Sequence, residues 1–443
     1  MNHPTGFCHL CRCYFPRVAF ALSLGFTPLL SAAIIGTNTP AQPLTSKRIA
    51  TLPAVQRAVW TKYLKRSERQ WQADQNFLRT EKRDHGVKTA IIPPSSNSAR
   101  SILLNRPLPW YGSNEAVRIA GIIVSFQTPA GGWSKNLNLA ERARTPGESF
   151  APDNNSRLPG KGDFDLPPAG HWDYVGTFDN NATVSELYFL AKVIAAGGTN
   201  QVAPCRVSFL RGLDYIFAAQ YPNGGWPQVW PLQGGYHDAI TFNDGAMINI
   251  LSLLRDVSSG TNEFAFVPEQ TRRLALARLQ HGLECILATQ MVVDGRRTVW
   301  CQQHDPLTLQ PVSARNYEMP SEVSSESAQT MMFLMEQPHP GPDIIGSVNA
   351  AAAWFEKTQI PDMAFRFVPG EGRRLVHTPG AGPIWARYYQ IGTDRPIFGD
   401  RDKTIHDNLN EISNERRNGY AWFTDSPQKA LARCAEWKKG LSE

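Results

Sequence analysis

The feature that most constrains this chain is a seven-residue signature that occurs twice. Gln127-Thr-Pro-Ala-Gly-Gly-Trp133 and Gln220-Tyr-Pro-Asn-Gly-Gly-Trp226 agree at five of their seven positions. Each follows an apolar helical run, and the Gly-Gly pair allows backbone angles that other residues resist. Gln290, followed by Met-Val-Val-Asp-Gly, and Gln359, followed by Ile-Pro-Asp, are weaker echoes. Helix pairs that cannot bury their faces alone stack on their neighbours. The repeat therefore predicts an all-α fold, a closed or partly closed α/α toroid, with loops at one end lining a cleft. Trp133 and Trp226 fall at equivalent positions just past the turns. The cluster Trp226-Pro-Gln-Val-Trp230 fits either a carbohydrate groove or a packed wedge between repeats.

Apolar spacing predicts helices over 54–83, 183–196, 205–220, 244–257, 268–290 and 347–359. Ser113 is placed to cap a further helix that runs through Phe126. The domains expected are a leader over 1–33, a helical or linker extension over 34–108, and one catalytic domain over 109–443. The extension carries no sugar-handling motif.

The leader is read from Arg12 and Arg17, the apolar run from Val18 to Ile35, and the small residues Ser31-Ala32-Ala33. Ser23, Gly25, Thr27 and Pro28 interrupt that run, so it makes a poor permanent membrane span. The mature protein is expected to be secreted or periplasmic. Cys8, Cys11 and Cys13 fall in the leader. Cys205, Cys285, Cys301 and Cys434 remain, and an exported protein can pair them. The net charge is +6, which favours an anionic partner. The basic residues are scattered, which argues against nucleic acid. An acidic polysaccharide fits the charge, and the protein is expected to act as a monomer.

Four segments concentrate polar residues beside Gly, Pro and aromatics, as functional loops do. Gly176-Thr-Phe-Asp179-Asn180-Asn181 and Thr241-Phe-Asn243-Asp244 each pair Asn with Asp before a helix. Either alone reads as a helix N-cap; together they suit oxygen coordination of a hard cation such as calcium. The third runs from Trp300 through His304, Asp305, Arg315, Tyr317 and Glu318 to Ser321. His304 and Asp305 are adjacent in the chain, so at least one is expected to be structural. The fourth holds Arg387, Tyr388, Tyr389, Asp400, Arg401 and Glu411 to Trp422. Its arginines suit either surface ion pairs or carboxylate recognition.

Together these segments resemble the family-10 pectate lyases, which are calcium-dependent. The similarity spans roughly Trp110 to Trp422. It is carried by Asn223-Gly-Gly-Trp-Pro-Gln-Val-Trp-Pro231, by Thr-Phe-Asn-Asp ending at Asp244, by Ala-Arg-Asn-Tyr-Glu-Met-Pro-Ser ending at Ser321, and by Glu-Arg-Arg-Asn-Gly-Tyr-Ala-Trp ending at Trp422. The resemblance implies an (α/α)3 toroid or barrel with short irregular β elements. It also implies endo-type cleavage of polygalacturonate, or pectin, by calcium-assisted anti β-elimination. In its terms Arg315 is the base, Asp179 and Asp244 lie in the calcium and substrate site, and Arg387 and Arg401 bind substrate carboxylates. Lys135 is a weaker substrate-binding candidate, and Tyr317 and Trp226 are the aromatic ones. Asp179-Asn180-Asn181 stands where the family commonly reads Asp-Asn-Gly, a difference that touches loop geometry and keeps the carboxylate.

Arginine is an unusual base, with a pKa above about 12 in water. It suits the task only where nearby cations favour its neutral form. Two other readings fit the same residues. A glycoside hydrolase would use two carboxylates from Asp179, Asp244 and Glu318. A non-catalytic glycan-binding protein would keep the aromatics and cations without needing a base.

Overall fold

The computed structural model describes residues 34–96, 102–152, 162–166, 175–197 and 202–441. The expected leader lies outside these described residues. Eleven α-helices run in order among the described residues: α1 Ser46–Ile49, α2 Ala54–Asp84, α3 Asn114–Ser125, α4 Val184–Ala196, α5 Ala203–Ala219, α6 Ala246–Ser259, α7 Glu269–Thr289, α8 Ser324–Met335, α9 Pro342–Thr358, α10 Asn414–Gly419 and α11 Ser426–Gly440. Ser113 caps α3, its Oγ accepting from the Ala116 N–H at 3.3 Å, as the sequence predicts. No helix among the described residues is long and apolar enough to cross a membrane.

The helices pack as consecutive hairpins: α4 on α5, α6 on α7, and α8 on both α9 and α11. The first helix of each pair also touches the next, α4 to α6 and α6 to α8. Leu187, Leu190, Ile250, Leu254, Met331 and Leu334 on these three helices are fully buried in one large core.

The Gln…Trp repeat explains this regularity, and it occurs four times. In every copy a tryptophan indole N–H donates to the helix carbonyl four residues before the glutamine. Trp133 bonds Ile123 O (2.7 Å), Trp226 bonds Ile216 O (2.9 Å), Trp300 bonds Ile286 O (2.8 Å) and Trp385 bonds Phe355 O (2.9 Å). Each indole thereby satisfies a carbonyl at a helix end, where intrahelical partners run out. In the first three copies the glutamine amide bridges its own turn to the helix that ends in the next copy's glutamine, α5, α7 and α9 in turn. Gln127, Gln220 and Gln290 donate to Ser208 O, Arg278 O and Ser347 O respectively. The glycines belong to the same joint. Gly131 and Gly224 take φ of 107° and 91°. A Cβ would sit 2.6 Å from Arg211 O at the first and 2.0 Å from His281 O at the second. Only glycine permits that approach.

The expectation of an all-α toroid is corrected by the strand content. Of the described residues 48% are helical and 13% strand, with sixteen short strands arranged in seven small sheets. Many of these strands are a regular part of the repeat. The segment after each later tryptophan pairs antiparallel with the segment that leads into the preceding inner helix. Gly176–Thr177 pairs with Val229–Trp230, Ile240–Thr241 with Gln303–His304, and Glu322–Val323 with Tyr388–Tyr389. These loops are buried, so their backbone groups need partners, and two-residue ladders provide them.

Residues from Ile34 onward belong to one unit with the rest of the chain. Ile34–Thr37 forms a strand against Thr404–His406. Helix α2 lays Trp60, Tyr63 and Leu64 onto the main core, and the Tyr63 hydroxyl donates to Ala219 O at 2.8 Å. Cys205, Cys285, Cys301 and Cys434 are buried and unpaired.

Candidate active site

Two tight turns form the floor of the site. Asp179–Asn181 and Asn243–Gly245 precede α4 and α6 and pack against each other. Neither aspartate caps its helix: the N-cap residues are Thr183 and Gly245. Asn180, Asn181, Thr183 and Asp244 all have positive φ, between 51° and 67°. That is costly for a β-branched residue such as Thr183. Its hydroxyl holds it there, donating to Thr177 O (2.9 Å) and accepting from the Trp133 N–H (3.0 Å). The third copy of the repeat has the same joint, with Ser327 Oγ accepting from the Trp300 N–H at 3.0 Å. The buried Trp133 thereby fixes the backbone that follows the Asp179 turn, and Trp300 fixes the first turn of α8.

Asp179 is almost fully buried and pairs through Oδ2 with the Lys135 ammonium. Burial alone would raise its pKa, but Lys135 and Arg315 outweigh this and hold the carboxyl well below the usual range. Asp244 goes the other way. The Asp244 residue is exposed, but desolvation of its carboxyl within the site, together with the negative charge of Asp179, pushes it up. Asp179 Oδ1 is buried and has no hydrogen-bond partner among the described residues. Two carboxylates face each other with no donor between them, an arrangement that a proton or a hard cation completes. Among the described residues no trio of His, Cys, Asp and Glu side chains could hold a metal, so the chain offers this oxygen pair rather than a full cage.

Arg315 stands on the turn 315–318, its side chain 34% exposed. Glu318 Oε2 accepts from both the Arg315 Nε and the Arg315 backbone N–H, each at 3.0 Å. The Tyr420 hydroxyl donates to Glu318 Oε1 at 2.7 Å. The Tyr388 hydroxyl lies 2.5 Å from that of Tyr420 and 2.7 Å from Gln302 Oε1, and with Tyr420 donating to Glu318 its single proton serves one of these two neighbours. Gln302 donates to Asn243 Oδ1, and the Asn243 amide donates to Asp244 Oδ2 at 3.0 Å. Arg387 closes the set, donating to Asn243 Oδ1 (3.2 Å) and pairing with Glu326. A continuous line of polar side-chain contacts thus runs from Arg315 to Asp244 and Arg387.

The structure brings Lys135, Asp179, Asp244, Arg315 and Arg387 together. Arg401 and Tyr317 lie on the flank of Arg315. The Tyr317 ring is buried and has the guanidinium carbons of Arg315 (5.5 Å), Arg401 (5.5 Å) and Arg416 (4.4 Å) over it. Arg401 is engaged by both oxygens of Glu415, at 2.8 and 3.1 Å. Trp226 is 1% exposed and its indole is spent on Ile216, so of its two readings the structure shows the wedge between repeats. His304 and Asp305 are both structural. His304 bridges Cys301 N and Leu309 O, and Asp305 accepts from Leu307 N, Thr308 N and Arg48. Sequence reasoning assigned no role here to Tyr388, Tyr420, Gln302 or Glu326. The tyrosines fall inside the motif segments already singled out, which was the available signal.

Arg315 also departs from expectation electrostatically. Burial would lower its pKa, but Glu318 and the neighbouring tyrosines Tyr317, Tyr236 and Tyr420 outweigh it and hold the guanidinium well above its ordinary value. In the free protein it is firmly cationic.

A search of curated proteins finds no match. Among solved structures, the family 10 polysaccharide lyase from Cellvibrio cellulosa is similar, with a TM-score of 0.63 and 28% identity, over 77% of this chain and 98% of that one. An Asp→Ala mutant of that lyase, in complex with trigalacturonic acid, matches with the same TM-score of 0.63 and 28% identity, over 76% and 98%. The profile of the pectic acid lyase family matches residues 127–431. That range contains every residue of the polar network from Arg315 to Arg387, and this chain belongs to the pectic acid lyase family and is a polysaccharide lyase.

Proposed function

We propose that the protein is an exported, monomeric pectate lyase that cuts within polygalacturonate chains by calcium-assisted anti β-elimination. The observation that carries the reading is the meeting of Arg315 with the Asp179–Asp244 pair. The charge of Arg315 reaches Asp179 and Lys135, so a uronate bound between them lies within range of both cations. In the reaction the C5–H bond breaks and its proton passes to an Arg315 guanidine nitrogen. The electron pair forms the C4=C5 double bond, the C4–O4 bond breaks, and the departing O4 takes a proton from solvent. Arg387, Arg401 and Lys135 orient the carboxylates and stabilise the charge that grows on C6. Arg387 and Arg401 already hold carboxylates, Glu326 and Glu415, in the geometry a uronate would take over. Calcium, held by Asp179 and Asp244, would supply Lewis-acid neutralisation of the uronate carboxylate.

The pairing of Arg315 with Glu318 favours a second role for the same residue, a cation that clamps the uronate. The pH dependence separates the two. A base predicts kcat climbing with pH into the alkaline range, whereas a clamp predicts a flat profile there. The deciding assay is ultraviolet absorbance of the unsaturated uronide released from polygalacturonate. Activity is expected to vanish with chelator and to return with calcium. An Arg315→Ala variant is expected to lose at least about 1,000-fold in kcat; undiminished elimination would overturn the assignment.

A further inference from the structure

Asn38 lies outside the range matched by the family profile, just after the strand Ile34–Thr37. It is 4% exposed. Its amide nitrogen is directed at three carbonyls of one turn: Arg315 O (3.2 Å), Asn316 O (3.1 Å) and Glu318 O (3.1 Å). The turn is otherwise closed by Glu318 N–H to Arg315 O (2.9 Å) and Ala314 N–H to Glu318 O (3.0 Å). The reverse amide orientation would set an oxygen against three carbonyl oxygens, so the assignment of the nitrogen is secure. Asn38 Oδ1 is buried with no partner among the described residues, a desolvation cost that an apolar residue would not incur. The site keeps that cost for the sake of the donor.

The segment that carries Asn38 is itself tied down. Its backbone N–H donates to Lys403 O at 2.7 Å, Thr37 pairs with Thr404, and Ser313 Oγ donates to Thr39 O. On the far side of the same turn, Asn316 Nδ2 donates to Arg401 O at 2.8 Å. The amino-terminal strand is thus fastened both to the Arg315 turn and to the loop that carries Arg401.

We propose that Asn38 is a positioning residue for Arg315: it fixes the turn from which the guanidinium reaches the substrate, while Glu318 fixes the guanidinium itself. This rests on the reading that Arg315 acts at C5. A reacting group displaced by 1 Å can cost about 100-fold in rate.

The test uses the full chain with calcium and polygalacturonate. Asn38→Ala is expected to lower kcat about 10- to 100-fold, with KM and the affinity for trigalacturonic acid within about 3-fold of wild type. A kcat within about 2-fold of wild type overturns the proposal. Adding Asn38→Ala to Arg315→Lys is expected to cost little more, because the residue it positions is already gone. A full additive loss in that background means that Asn38 acts elsewhere and also overturns it. Should Asn38→Ala not fold, Asn38→Asp keeps the shape and removes the donor: the same loss of kcat supports the proposal, and normal kcat rejects it. Undiminished elimination by Arg315→Ala removes the reading of the reaction and this inference with it. An inactive Arg315→Ala beside a normal Asn38→Ala removes the inference alone.

Discussion

Glu318 decides what Arg315 can do. One of its oxygens grips the Arg315 side chain and backbone, and the other accepts from Tyr420. It orients the guanidinium and at the same time keeps it protonated, so positioning and basicity oppose each other in the free protein. Removing the charge should separate the two effects. In Glu318→Gln the largest influence that raises the Arg315 pKa is lost, while the smaller ones of Tyr317, Tyr236 and Tyr420 and the burial that lowers it remain. The rising alkaline limb of kcat is then expected to move to lower pH, and the plateau to fall about 10-fold as the grip loosens. A pH–kcat profile checks this; an unmoved limb would mean that Glu318 does not set the protonation of Arg315. Asp244 makes a different prediction. Its carboxylate is forced against Asp179 where no donor separates them, so Asp244→Asn relieves a repulsion. Its fold should be no less stable, while the calcium needed for half-maximal activity should rise at least about 10-fold. Calcium titration of activity beside thermal melting tests both halves.

At the scale of elements, the joint of glutamine, turn and tryptophan sets the architecture. Trp226 is fully buried and also satisfies Ile216 O. Trp226→Ala is expected to cost about 3–5 kcal/mol. Trp226→Phe keeps most of the ring but strands the carbonyl, for about 1–3 kcal/mol. Urea denaturation measures both. A surface groove residue would show losses near zero and a change in KM instead. In its first two copies this joint was legible in the sequence because a proline and two glycines stand at the same offsets between glutamine and tryptophan. The two weaker copies kept only the glutamine in recognisable form, and their tryptophans were found through the indole bonds. The strands were not legible. Two-residue ladders show no alternation, because their pairing is set by the neighbouring repeat rather than by their own residues. Helix α8 was hidden for another reason. It is buried on nearly every side and opens with Ser324, Ser325, Glu326 and Ser327, a polar run that reads as loop. At the site, the acidic turns and the arginines stood out by residue type. Asn38 did not: nothing in an isolated asparagine near the start of the chain announces three carbonyls from residues 315–318.

The whole molecule contains carboxyls that the chemistry does not use, and they tie stability to pH. Glu186 on α4 is buried, with Oε2 unpartnered among the described residues. Its pKa is raised by burial to about 8, against backbone hydrogen bonds at Thr183 and Glu186 that lower it only partly. Asp74, where α2 meets the core, is raised by burial to about 7 despite its bond from Gln70 and the charge of Arg211. Both folded-state values lie above those of the unfolded chain. The stability they allow is therefore complete below about pH 4. It is lost progressively as pH rises towards 7 for Asp74 and 8 for Glu186, because the unfolded chain gives up these protons first. Activity that depends on an arginine base runs the opposite way, so the protein is expected to gain rate and lose stability over the same alkaline range. Glu186→Gln should flatten the decline. At pH 9 it should be more stable than wild type by on the order of 3 kcal/mol, and at pH 4 about equal. Asp74→Asn should act in the same direction, with its gain complete at lower pH and expressed in how firmly α2 is docked. Urea midpoints at pH 4, 7 and 9 for wild type and both variants test this. Parallel curves for all three would show that these carboxyls are solvated in solution and that the alkaline loss arises elsewhere.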